Sequence, residues 1–252
     1  VTAMVAKAMG QKRSSVGRMA TLAGADTIPV DIGIADQMPI QGVLARKVRC
    51  GTRNFRKEPA MTEEEAIRAI TVGIELTGRC REQGYQLLAT GEMGIGNTTT
   101  SSAVTAALLK CQIPDVTGRG AGLDDERLER KRQIIEEAVQ NYDLYHADAL
   151  TILRCVGGLD IAGLTGVCIG AALFRIPVVL RDQSDGGTSC RTPFSGDEAE
   201  SASVASGQRT GGGSAFTGAW DERCAGCRAC TWRRNGSGHA LSAVRYGDEC
   251  LS

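Results

Sequence analysis

The sequence predicts an α/β fold, a parallel sheet covered by helices. Three observations carry that expectation. Short apolar or β-branched runs at residues 27–34, 86–90 and 176–180 alternate with longer stretches of helical period. A strong helix start, Thr62 followed by Glu63, Glu64 and Glu65, separates the first two runs. A glycine-rich turn at residues 91–96 stands where the second run hands over to the next helix.

Taken in order, residues 27–34 read as the first strand because apolar and β-branched residues dominate them. The helix opening at Thr62 runs to about residue 81, with acids in its first turn favoured by the helix dipole and Ala66, Ile70 and Gly73 on one face. Residues 86–90 form a second strand. Residues 98–111 form a helix with Val104, Ala107 and Leu108 inward. Residues 124–142 form a charged amphipathic helix with Leu128, Ile135 and Val139 on its apolar side. Two more helices follow, at 147–156 and 159–174, the latter rich in small residues and so expected to pack closely. Residues 176–180 read as a short buried strand. There is no internal repeat.

Composition divides the chain near residue 180. The 252 residues suffice for one domain of ordinary size. A formal net charge of zero gives no reason to expect nucleic acid or an anionic membrane as partner. No apolar run is long enough to span a bilayer, and no signal peptide is visible at Val1, so a cytoplasmic protein is expected. Residues 181–252 hold only six residues of the Leu, Ile, Val, Met and Phe set, too few for a core of their own. The division expected is therefore a domain at 1–180 and a core-poor tail at 181–252.

The chemistry concentrates at Gly91-Glu92-Met93-Gly94-Ile95-Gly96-Asn97-Thr98-Thr99-Thr100-Ser101-Ser102. It places one carboxylate, three glycines and five hydroxyls between a strand and a helix. Glycines admit a ligand close to the backbone, and N–H groups at a helix start attract anions, so a phosphate site with one acid beside it is the simplest chemical reading. The bland alternative is a turn whose hydroxyls cap the next helix. The Gly91-x4-Gly96 spacing follows a P-loop, but Asn97 stands where that motif needs Lys, which excludes an ordinary ATPase or kinase.

The full string Gly-Glu-Met-Gly-Ile-Gly-Asn-Thr-Thr resembles the signature of the nicotinate-nucleotide:dimethylbenzimidazole phosphoribosyltransferases, enzymes of the cobalamin lower-ligand pathway. Further segments resemble the same family in the same order: Val30-Asp31-Ile32-Gly33-Ile34, Gly51-Thr52-Arg53-Asn54-Phe55, Pro59-Ala60-Met61-Thr62, Thr117-Gly118-Arg119-Gly120-Ala121-Gly122-Leu123-Asp124 and Leu159-Asp160-Ile161-Ala162-Gly163-Leu164. The likeness covers roughly residues 1–180 and then stops. Val1-Thr2-Ala3-Met4-Val5 resembles the family's interior, so upstream segments that supply part of the benzimidazole pocket are expected to be absent.

The resemblance implies transfer of phosphoribose from nicotinate mononucleotide to 5,6-dimethylbenzimidazole, giving α-ribazole phosphate and nicotinate. It implies small-molecule partners, a homodimer, and no metal or cofactor. Glu92 then matches an acidic site close to the ribose and the base; as a bare residue it is also a helix-capping acid. Gly94, Gly96, Asn97 and Thr98 would offer N–H and hydroxyl donors to the phosphate, and Gly118 and Gly120 would bring the second loop to the same ligand. Lys131 matches the family's active-site lysine. On residues alone, between Arg130 and Arg132, it reads as part of a solvated basic face. Two other classes stay open: a phosphate-ligand binding protein without catalysis, and an iron–sulfur protein.

The last class rests on Cys224, Cys227 and Cys230, a C-x2-C-x2-C run with Cys250 beyond it. The competing reading is a shifted reading frame from about residues 180–182. Codons for Thr231-Trp232-Arg233-Arg234-Asn235-Gly236-Ser237 can be chosen so that another frame gives Leu-Gly-Glu-Gly-Thr-Gly, which resembles the family's C-terminal signature and carries its general-base glutamate. The frameshift explains the composition break and the cysteine run together, and it is the reading taken. No residue of the chain as written inherits the base's role, so impaired activity is expected. Cys50, Cys80, Cys111, Cys155 and Cys168 lack metal-ligand spacing and read as buried thiols of a reduced compartment. His146 and His239 have no neighbours that suggest a triad or metal site, and a surface or cap role is expected of both. Limited proteolysis is expected to leave a fragment ending near residue 180. Tail protection equal to that of residues 86–90, or a gene whose frame is intact across codons 175–190, would contradict this account.

Overall fold

The computed structural model describes residues 1–120 and 122–180. The cysteine run, His239 and the division of the chain near residue 180 involve residues outside that set. The described elements are α1 (Thr2–Gly10), α2 (Ser15–Ala23), β1 (Val30–Asp31), β2 (Leu44–Ala45), α3 (Glu63–Glu82), β3 (Leu88–Ala89), α4 (Asn97–Leu109), α5 (Ile113–Val116), α6 (Asp125–Asn141), α7 (Ala149–Val156), α8 (Leu159–Phe174) and β4 (Val178–Val179).

Helices dominate, and the strands form two separate parallel pairs. In one, Val30 lies opposite Leu44 and Asp31 opposite Ala45. In the other, Leu88 lies opposite Val178 and Ala89 opposite Val179. The single parallel sheet expected from the sequence is thus corrected to two short ladders among the described residues. Local chemistry explains why β1 is so much shorter than residues 27–34. Asp31 is buried, and its carboxylate accepts the Ile34 amide at 2.9 Å and pairs with Lys47 at 2.9 Å. Beyond Asp31 the segments stay joined, the Ile32 and Gly33 carbonyls accepting the Val48 and Gly51 amides at 3.0 Å each, but the spacing turns irregular and the regular ladder stops. β3 ends just before the glycine-rich turn, since glycine weakens a strand.

The helices follow their sequence signals closely. Thr62 caps α3: its hydroxyl accepts the Glu65 amide at 3.1 Å while Glu65 accepts the Thr62 amide at 2.8 Å. Arg53 at 2.6 Å and Arg49 at 3.2 Å clasp the same carboxylate, tying the preceding loop to the helix start. The Arg53 hydrogen bond, helped by the Thr62 amide and Arg49 against the opposing effect of burial, holds the Glu65 carboxyl down to about 2. A depressed carboxyl stabilises the fold above its ordinary range, and that contribution disappears as pH falls through about 2. α4 begins one residue earlier than expected and ends two earlier. α7 starts at Ala149 because Asp148 caps it, accepting the Thr151 amide at 3.0 Å. α1, α2 and α5 are additional to the elements expected.

The core gathers around α3, α4, α6, α7 and α8, with Met61, Val104, Ile135, Leu144, Leu153 and Ile161 fully enclosed. The amides of Ala60 and Met61 donate to the carbonyls of Cys155 and Arg154, both at 2.9 Å, so the chain before α3 is pinned to the end of α7. Cys80 and Cys155 are buried as expected, and Cys111 and Cys168 partly so. Cys50 is exposed, which corrects its reading as a buried thiol: it sits in the polar loop shaped by Arg49 and Arg53 rather than in a helix. His146 is exposed beside Asp143, 2.7 Å from its carboxylate.

α3 and α8 meet backbone to backbone, as the small residues of the second helix suggest. A methyl group on Gly166 would lie 1.9 Å from the Ile70 carbonyl oxygen, and one on Gly73 would lie 2.1 Å from that of Gly163. Gly166→Ala is therefore expected to destabilise the protein by about 2–4 kcal/mol, because neither helix can yield without losing its neighbours. Chemical denaturation measures this. A loss under about 0.5 kcal/mol, the size of an ordinary surface change, would contradict the packing described.

Candidate functional site

The site begins where β3 ends. Residues 90–96 leave the ladder, turn, and enter α4. Gly96 is the N-cap residue of α4, with φ 96°, a left-handed conformation that favours glycine. No side chain caps this helix. The Asn97 amide donates to the Gly94 carbonyl at 3.2 Å and the Thr99 amide to that of Gly96 at 3.0 Å, so the turn is tightly wound. From the other side, the Ile95 amide donates to the Thr2 hydroxyl of α1 at 3.3 Å. Glu92 lies half-buried in the first part of this turn.

A second loop, residues 117–124, folds against the first turn of α4. Ser102 of α4 makes the join. Its buried hydroxyl lies 2.7 Å from the Thr98 carbonyl oxygen and 2.9 Å from that of Val116. Gly120 has φ 55°, and a methyl group there would lie 2.7 Å from the Thr98 hydroxyl. Only glycine fits that position without displacing Thr98. Arg119 donates to the Leu123 carbonyl at 2.9 Å and pairs with Asp125 at the start of α6, closing the loop on itself.

Lys131 joins the two loops. It is 5% exposed, and its ammonium donates at 3.0 Å to the Thr98 hydroxyl and at 3.0 Å to the Gly118 carbonyl. Both acceptors are neutral oxygens, and burial pushes the lysine's pKa down from its ordinary value. A cation held this way favours a nearby anion, which would offset its desolvation. Its neighbours Arg130 and Arg132 turn towards solvent or the helix surface, so Lys131 is not part of a solvated face.

The structure thus brings Lys131, Thr98, Gly118 and Gly120 into one cluster, with Gly94, Gly96 and Asn97 in the adjoining turn. Glu92 enters the same turn from the β3 side. Two residues that the sequence reading leaves out also belong here. One is Ser102, whose only sequence signal is its place in a run of hydroxyls. The other is Asp160, in the first turn of α8, whose carboxylate reaches the Gly94 turn: a methyl on Gly94 would lie 3.4 Å from Asp160 Oδ2. A surface groove of 460 Å³ lies elsewhere, over the outer face of α6 between Arg56, Glu129, Arg130 and Glu137, and none of the nominated residues lines it. No group of three His, Cys, Asp or Glu residues with metal-holding geometry occurs among the described residues. No helix among them is long and apolar enough to cross a membrane.

A family model described as phosphoribosyltransferase matches residues 1–191. The nicotinate-nucleotide--dimethylbenzimidazole phosphoribosyltransferase of Clostridium perfringens (strain 13 / Type A) is 43% identical over 180 residues, covering 71% of this chain and 50% of its own length. That of Acetivibrio thermocellus is 46% identical over 183 residues, covering 71% and 51%. The crystal structure of CobT from Thermus thermophilus superposes with a TM-score of 0.71 at 34% identity, covering 75% of this chain and 57% of that one. The chain spans about half the length of the curated relatives it matches.

The Lys131 cluster makes a direct prediction about anions. Lys131→Met removes the cation and keeps the stem's bulk, so affinity for ribose 5-phosphate is expected to fall by about 10-fold or more, as for loss of a charge-assisted hydrogen bond. Calorimetric titration checks this. Unchanged affinity in a folded variant would show that the buried ammonium serves the fold alone.

Proposed function

The chain belongs to the phosphoribosyltransferase family whose model it matches, and from that premise we propose that its reaction is transfer of phosphoribose from nicotinate mononucleotide to 5,6-dimethylbenzimidazole, impaired in the chain as written. The observation that carries this reading is the buried Lys131 ammonium, held on Thr98 and Gly118 beside a glycine turn that opens a helix.

In the proposed reaction the bond between the ribose anomeric carbon and the pyridine nitrogen of nicotinate breaks. Its electron pair leaves with nicotinate. A benzimidazole ring nitrogen forms the new bond to the same carbon, and the proton of the azole N–H is lost. The phosphate needs donors and a cation, which Thr98, the backbone of Gly94, Gly96 and Asn97, and Lys131 supply in this proposal. Gly118 and Gly120 shape the second wall of that cradle. Glu92 is the carboxylate we assign to the ribose and base end, where positive charge develops at the anomeric carbon. On the likeness to its relatives we further propose a homodimer working in the cytoplasm. Sedimentation of the purified protein tests the first and fractionation of cells the second.

The test of the reaction is nicotinate release from nicotinate mononucleotide in the presence of dimethylbenzimidazole. Binding of the nucleotide with no release would leave a phosphate-ligand binding protein instead. Glu92→Gln separates chemistry from binding. Any residual transfer is expected to fall by about 10-fold or more, as when charge stabilisation at the reacting carbon is lost, while affinity for ribose 5-phosphate stays within about threefold. Equal losses in both would remove Glu92 from the chemical step.

A further inference from the structure

Asp160 occupies an unusual place for a first-turn helix acid. Its carboxylate is enclosed by two glycines from different elements. A methyl on Gly158, the N-cap residue of α8, would lie 2.2 Å from Asp160 Oδ1, so any side chain there would expel the carboxylate from its position. The same methyl would stand 3.6 Å from the Thr100 hydroxyl of α4. On the opposite side Oδ2 faces Gly94, in the turn that leads into α4, at 3.4 Å from a methyl placed there. Gly158 thus vacates the space on one side of the carboxylate, and Gly94 lies beside it on the other at ordinary contact distance. It is half-buried and lies between the start of α8 and the donor-rich turn.

An ionised carboxylate accepts hydrogen bonds and donates none. It therefore repels a phosphate and suits hydroxyl groups. In a phosphoribosyl donor the hydroxyls lie on the ribose, one short linkage away from the phosphate. Thr98 and Lys131 lie further into α4 and on α6, at the cationic end of the same turn. The geometry therefore offers an acceptor at the ribose end and donors at the phosphate end.

We infer that Asp160 is a substrate-binding residue that accepts a hydrogen bond from a ribose hydroxyl of the phosphoribosyl donor. The inference rests on the phosphoribosyl reading of the site. Gly158 holds the slot open for its carboxylate, and Glu92 remains the acid assigned to the developing positive charge.

The experiment is a ligand-by-variant comparison by calorimetric titration of the full chain. The ligands are inorganic phosphate, nicotinate mononucleotide, and its 2′-deoxy and 3′-deoxy analogues; the proteins are the parent, Asp160→Leu and Asp160→Ala. In the parent, at least one deoxy analogue is expected to bind about 10-fold more weakly than the full nucleotide, the effect of leaving a site's polar group unmatched. In both variants that penalty is expected to shrink to about twofold or less, with phosphate affinity unchanged, as a coupled pair requires. Asp160→Leu keeps the side chain's branching and removes both acceptor oxygens, so it reports even where Asp160→Ala unfolds. A deoxy penalty that persists in a folded variant would overturn the inference, as would a loss of phosphate affinity equal to that of the nucleotide, which would mark Asp160 as holding the turn's shape only. If the parent discriminates against neither analogue, the inference fails while the phosphoribosyl reading stands. If the parent binds neither phosphate nor nucleotide, both fail together.

Discussion

The site hangs from the contact between α3 and α8, where Gly73, Gly166 and Gly170 leave no room for a side chain. Backbones that touch this closely fix each helix in position along and around the other, since any slide drives a carbonyl into a neighbouring main chain. The rest of the site is then referred to α8. Its first turn carries Asp160 to the Gly94 turn. Its last residue is followed by Arg175 in the left-handed region at φ 52°, a reversal that feeds β4 alongside β3. β3 in turn delivers the chain into the glycine-rich turn. Two ends of one helix thus hold two sides of the site, and α3 holds the helix. The cost falls on conformational entropy, since glycines within a helix are destabilising unless packing compensates.

The second loop is held by polar groups rather than by apolar burial. Ser102 spans the Thr98 and Val116 carbonyls, and Lys131 spans the Thr98 hydroxyl and the Gly118 carbonyl. A methionine at position 131 would fill similar space without the desolvation of a charge. A buried cation with two neutral partners thus contributes little to stability alone, and its retention makes sense where an anion is the third partner. The Asp31–Lys47 pair shows the contrast. There the ammonium meets a carboxylate and backbone carbonyls of Ile34 and Asp36, which satisfies it within the fold.

Much of this was legible in the sequence. The capping box at Thr62 and Glu65, the small-residue face of α8 and the glycine turn before α4 are local signals with local causes, and each element formed where its signal lay. The strands are shorter than expected because apolar composition does not reveal where pairing turns irregular, as it does beyond Asp31, where Val48 and Gly51 bond to consecutive carbonyls of Ile32 and Gly33. Lys131 shows a signal that was present but outweighed. Its neighbours Arg130 and Arg132 suggested a solvated face, yet Leu128, Ile135 and Ala138 are buried at helical spacing from it, so Lys131 lies in the apolar stripe of α6. The place of Asp160 was not legible at all. It depends on two glycines, Gly158 close by and Gly94 far earlier in the chain, and no spacing rule joins them.

The residues from 92 to 98 order the chemistry along the chain. At the β3 end stands Glu92. Next comes Gly94, which faces the Asp160 carboxylate, and at the helix end Thr98 meets the Lys131 ammonium. Anionic groups thus precede the turn and the cationic group follows it, with the helix dipole of α4 adding positive potential on the same side as Lys131. A phosphoribosyl donor has the matching polarity: an anion at one end, and at the other a carbon that becomes electron-poor as its leaving group departs. Reversing the donor would set phosphate against carboxylates in a half-buried turn, which electrostatics opposes more strongly than in water. In the proposed reaction, the order of charges along this one turn would favour the orientation in which the reacting carbon faces Glu92.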